Sequence, residues 1–147
     1  MNAQPRNLRR ALAALNARLG HRGRYLLCVA GAWEIYGLGI ILDPRFGTVR
    51  GVGILQNLAP LHWWGLFWML CAAIAGTYAF ASKPGRDWIG FIAAALPALV
   101  WAGAYLVSWI SQDYPRAWTS AGAWLFAALR LGVAAGWPEH TRQEQRK

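Results

Sequence analysis

Four stretches of this chain run for about 20 residues with almost no charge, the length at which a helix rising ~1.5 Å per residue covers a ~30 Å hydrocarbon layer. They are Tyr25 to Leu42, closed by Asp43-Pro44-Arg45; His62 to Ala81, closed by Ser82-Lys83-Pro84-Gly85-Arg86; Trp88 to Ile110; and Ala117 to Gly136, closed by Trp137-Pro138. The Pro and Gly clusters between them mark turns. A soluble bundle needs a polar face on each helix, and "WWGLFWMLCAAIAGTYAF", residues 63–80, offers none. The expected fold is all-α, an integral membrane four-helix bundle.

Charge orients it. Fifteen basic residues stand against six acidic ones, and they are unevenly placed. The N-terminal segment carries Arg6, Arg9, Arg10, Arg18, Arg22 and Arg24; the second turn adds Lys83 and Arg86; the tail adds Arg142, Arg146 and Lys147. With four spans these regions share one side, and the other side holds Arg45, Arg50 and Arg116. Basic flanks stay in the cytoplasm, so both termini are expected inside. Trp63, Trp64, Trp109 and Trp118 fall at outer span ends, and Tyr25, Trp88 and Trp137 at inner ends, as interface anchors do. Trp33, Trp68, Trp101 and Trp124 lie deeper and are expected to pack between helices.

The organisation read from this is a basic segment over 1–24, a transmembrane domain over 25–136 with spans at 25–42, 62–81, 88–110 and 117–136, and a basic tail over 137–147. In "RNLRRALAALNARLGHRGR", residues 6–24, Leu8, Leu12, Leu15 and Leu19 share a helical face. Such a segment suits a cytoplasmic amphipathic helix on the membrane, with Arg9, Arg10, Arg18, Arg22 and Arg24 on anionic headgroups. A chain already tethered at a bilayer makes nucleic acid the weaker partner. Only Tyr25 to Val29 is apolar before Ala30-Gly31-Ala32, too short for a signal peptide.

Two charges fall inside the spans. Glu34 lies nine residues into the first, about 13 Å deep, and Arg130 seven residues from the end of the fourth, about 10 Å deep. Each costs on the order of 2.5–3.5 kcal/mol at a helix centre, so an intramembrane pair is the expected arrangement. Two others stay open: Arg130 snorkelling while Glu34 stays protonated, and a water-lined pathway holding both. Small residues recur every four positions at Gly90, Ala94, Ala98 and Ala102, and again at Ala128, Gly132 and Gly136. These stripes are expected to let helices approach closely and are compatible with a homo-oligomer. Pro97 frees the carbonyl of Ala93, which predicts a mild kink.

Chemistry is scarce. His21, His62 and His140 have no metal-ligand neighbour at helical spacing, and there is no HExxH. Cys28 and Cys71 sit apart in apolar runs and read as packing residues. "GTVRGVG", residues 47–53, lacks the Lys-Ser/Thr of a phosphate loop and reads as a loop. "GILQNLAPL", 53–61, is apolar enough to rest in the outer interface. The corners Asp43-Pro44-Arg45 and Asp113-Tyr114-Pro115-Arg116 read as helix stops, with a shared outer binding site as the sharper alternative. No catalytic residue, metal, cofactor or small-molecule ligand is expected, nor an enzyme.

The succession "LCVAGAWEIYGLGIILDPR", "NLAPLHWWGLFWML", "KPGRDWIGFIAAALPALVWAGAYLVSWI", "DYPRAWTSAGAWLF" and "AGWPE" resembles small four-span membrane proteins of actinobacterial phages and prophages. The likeness covers about Tyr25 to Glu139 and carries no catalytic residues. Some of that group are regarded as holin-like. It implies a bacterial cytoplasmic membrane and, as the first function, an oligomerising, permeabilising protein of host-cell lysis. The alternative is a non-permeabilising anchor or interaction protein such as a phage exclusion factor; a small transporter or channel is third.

Overall fold

The structure, a computed structural model, describes residues 4–80 and 86–138, with side chains from residue 19 onward except those of 46 and 47. The described residues are all-helical: α1 (Gln4–Leu42), α2 (Phe46–Gly51), α3 (Gly53–Gln56), α4 (Leu61–Ala79), α5 (Trp88–Ile110) and α6 (Ala117–Ala135). Leu19–Leu42 and Trp88–Ile110 are long and apolar enough to cross a membrane. α4 and α6, 19 residues each, do not reach the same hydropathy. Three tryptophans and His62 lower α4; Thr119, Ser120 and Arg130 lower α6.

Helix ends follow local chemistry. α1 stops before Asp43-Pro44, where Pro offers no N–H to continue the ladder, and Asp43 N still donates to Gly39 O at 3.0 Å. The α1 backbone breaks once, at Gly20 (φ 57°, ψ 179°), a conformation that a Cβ would strain. The basic segment expected over 1–24 is helical from Gln4 and runs into α1 through that break. Arg24 donates from Nε to the Gly20 carbonyl at 3.1 Å, satisfying a group the break exposes.

α1 packs chiefly on α4, and α6 on α5, with α4 and α5 joining the two pairs. The α1–α4 seam is a ladder of small residues seven apart: Gly23, Ala30 and Gly37 on one helix, Gly65, Ala72 and Ala79 on the other, all buried. The helices run antiparallel in this register. A Cβ on Gly37 would stand 2.8 Å from the Gly65 carbonyl oxygen, and one on Gly65 would stand 2.8 Å from that of Gly37. Period seven keeps one face against a partner along the whole contact.

The α5 stripe Gly90, Ala94, Ala98 and Ala102 is buried throughout, and a Cβ on Gly90 would meet Leu26 and Tyr78 at 2.6 and 2.8 Å. The α6 stripe is not a packing face within the bundle. Ala128 is buried, but Gly132 and Gly136 are exposed, because α6 turns Ala117, Ala121, Ala127, Leu131 and Ala134 inward instead. Alanine-rich sequence leaves several faces small enough to pack, and the neighbouring helix selects among them.

The connection after α1 differs from the expected loop. Residues 46–56 form α2 and α3, which fold over one end of the bundle; "GTVRGVG" is mostly helix, and Val52 and Leu55 are buried with Ile40, Trp68, Trp101 and Tyr105. Ser108 Oγ donates to Gly51 O at 2.8 Å, Arg50 Nε to Asp113 O at 3.1 Å, and Trp64 Nε1 to Leu55 O at 2.9 Å. Gly51 lies against the Tyr105 ring, which would overlap any Cβ there. At the opposite end, Tyr25 meets Trp137 edge-to-face at 5.6 Å and Arg22 meets Asp87, so the end of α6 and the start of α5 lie beside the same part of α1.

Candidate functional site

Two features stand out: an aromatic core and the placement of charge. Four helices supply the core, with Trp33 and Tyr36 from α1, Trp64 and Trp68 from α4, Trp101 from α5 and Trp124 from α6. Trp68 is its hub, at ring-centroid distances of 5.0 Å from Trp33, 4.7 Å from Tyr36, 5.3 Å from Trp101 and 5.1 Å from Trp124. The Trp33 and Trp101 rings stand nearly perpendicular to it, placing edges against π faces. Trp68 and Trp101 are fully buried, so these rings fill the bundle interior.

Two of the four deep indoles donate hydrogen bonds. Trp101 Nε1 donates to Tyr36 Oη at 3.0 Å, and Trp33 Nε1 donates to the Ala94 carbonyl at 2.8 Å. Ala94 lies next to Ala93, whose carbonyl Pro97 leaves without its helical donor, so α1 bonds α5 one residue from that gap. Trp68 Nε1 is buried with no hydrogen-bond acceptor.

The charges lie elsewhere than expected. Arg22 and Asp87 form the ion pair of the described residues, Nε to Oδ2 at 2.8 Å, with side chains only 16% and 11% exposed. Its angles fall short of a hydrogen bond, and both Asp87 oxygens lack one. Asp87 precedes α5 but makes no capping bond; its carboxylate turns to Arg22, whose guanidinium also lies 5.4 Å from the Phe91 ring centroid. Arg22 is therefore not on the lipid surface. Burial between helices explains it: Gly23 and Leu26 on the same α1 face are inside the bundle. Arg24 is half-buried, and the side chains of Arg9, Arg10 and Arg18 lie outside the described residues.

The structure does not join Glu34 to Arg130. Glu34 is half-buried and Arg130 exposed, and neither has an ion-pair or hydrogen-bond partner. α1 and α6 meet only narrowly, through Trp33 and Tyr36 against Trp124 at 5.9 and 5.0 Å and through Trp33 against the Ala127–Ala128 cluster. Among the anchors, Trp63, Trp88, Trp109, Trp118 and Trp137 are exposed at helix ends and Tyr25 is half-buried. Trp64 departs from the pattern: it is half-buried and pins α3. Sequence reading missed Asp87, whose position just after a turn gave no sign that α1 would cover it.

No protein-family model matches the chain, and no curated protein or solved structure is detectably similar to it.

Proposed function

We propose that this chain is a four-span integral membrane protein of the bacterial cytoplasmic membrane, with both termini inside, that acts by holin-like assembly of copies into permeabilising lesions. The observation that carries the membrane reading is the outward face of the bundle. Ile35 on α1, Leu70 on α4, Ile92 on α5 and Phe126 on α6 are 75%, 61%, 55% and 69% exposed, and aliphatic neighbours continue the band on each helix. Exposed apolar area on this scale marks contact with something apolar. Tryptophans bracket it, as they do at headgroup level: Trp63, Trp109 and Trp118 at one end, Trp88 and Trp137 at the other.

Two further points support the functional half. The aromatic core leaves the bundle interior filled, which favours permeation between copies over a channel through one. The resemblance to four-span phage proteins points the same way. The hydrogen-bonded α2–α3 cap favours the second reading, an anchor or interaction protein that presents an ordered outer surface.

Induced expression with a potential-sensitive dye separates them. Abrupt loss of membrane potential is expected; an intact potential at high membrane-inserted copy number overturns the lesion reading in favour of the anchor. Alkaline extraction of the same membranes tests the span reading: the chain is expected in the pellet, and release into the supernatant overturns it.

A further inference from the structure

We infer that Glu34 of one copy pairs with Arg130 of the next, making α1 and α6 the two halves of a head-to-tail interface between copies of this chain. The inference rests on the membrane reading above and deepens it by naming the surfaces through which copies meet.

Glu34 and Arg130 are unpartnered in one bundle, yet both lie in its apolar band. A charge facing hydrocarbon is costly and is rarely left unpaired. Within a copy the two residues sit on helices that meet only narrowly, through Trp33 and Tyr36 against Trp124, and the ion pair is not formed there. Pairing between copies leaves that aromatic core as it stands.

Their heights agree. Trp33 packs against Ala98, Ala127 and Ala128, which fixes the level of α1 against α6. Glu34 is one residue above that level and Arg130 two to three below it, a separation of about 6 Å along the axis. An arginine stem can span such an offset along apolar surface. Copies inserted with one topology all carry the two groups at the same two depths, so the same short offset, within reach of the arginine stem, recurs between every pair of neighbours. The flanking surface suits close approach: Gly31 on α1 is exposed with open space above it, and Ala123 on α6 is exposed about two turns from Arg130.

Because the two faces differ, the contact is heterologous. Repeated, it closes into a ring or extends as an open array.

Full-length copies carrying two different tags test this by cross-linking in native membranes. Wild-type copies are expected to cross-link. Glu34→Arg alone and Arg130→Glu alone are each expected to lose at least tenfold of the product. Co-expressing the two single variants is expected to restore it, as mixed pairs, because every interface then joins Arg to Glu. Restoration only when both changes sit in one chain places the pair within a copy and overturns the interface. Single reversals that cross-link like wild type overturn it too, leaving Arg130 to the headgroups. If a reversal variant does not accumulate, Glu34→Gln and Arg130→Gln add no charge and are expected to lose at least fivefold; wild-type levels from both overturn the proposal. Recovery of the wild-type chain in the soluble fraction defeats the membrane reading itself, whereas a membrane-embedded chain without mixed pairs defeats only this interface.

Discussion

Arg22 Nε lies 2.8 Å from Asp87 Oδ2, tying α1 to the residue that precedes α5. With side chains about nine-tenths buried, neither charge can be removed alone without leaving the other uncompensated. Arg22→Ala and Asp87→Ala are each expected to destabilise the bundle by about 3 kcal/mol, with a coupling of at least ~1 kcal/mol in the double-mutant cycle. Thermal unfolding in detergent micelles measures all four corners. Additive single effects would show that the two groups do not interact.

A second prediction contrasts two glycines two residues apart. A Cβ on Gly51 overlaps the Tyr105 ring, whereas a Cβ on Gly53 has open space. Gly51→Ala is expected to cost roughly 1–3 kcal/mol through displacement of the ring or of α2. Gly53→Ala is expected to stay within ~0.5 kcal/mol of wild type. Denaturation in micelles, with Tyr105 fluorescence anisotropy as a local probe, distinguishes them; equal costs would mean that α2 does not sit on Tyr105.

The third prediction separates ring packing from hydrogen bonding. Trp101→Phe and Trp68→Phe remove similar volume from the same cluster, but only Trp101 donates a hydrogen bond, to Tyr36 Oη. Trp101→Phe is expected to be the more destabilising by about 1 kcal/mol, the net worth of that bond. The two midpoints, measured side by side, decide it. A larger loss at Trp68 would place an acceptor on its N–H.

The helices were legible in the sequence because their signals are local. Asp43-Pro44 and Trp137-Pro138 end α1 and α6 within two residues of where they stand, and Trp88 opens α5. The deep tryptophans were legible too: Trp68 and Trp101 are fully buried, and Trp33 and Trp124 half-buried against them. What depended on which helix meets which was not. A search at spacing four found Gly90 to Ala102 but also Gly132 and Gly136, which face outward. The α1–α4 ladder at Gly23, Ala30 and Gly37 was present at spacing seven, the period of a sustained antiparallel contact. Glu34 and Arg130 fall at similar depths in the spans read from sequence, and depth alone does not bring two helices together. Arg22 looked like the other arginines of its segment because only the partner, Asp87, distinguishes it.

Filling the axis of the bundle with indole and phenol rings has a consequence for dosage. On the lesion reading proposed above, a solitary copy would give ions no route through its filled axis, and a cell would accumulate the protein without harm. Conductance, if neighbours create it, then grows as a steep power of surface density, and crowding itself becomes the trigger.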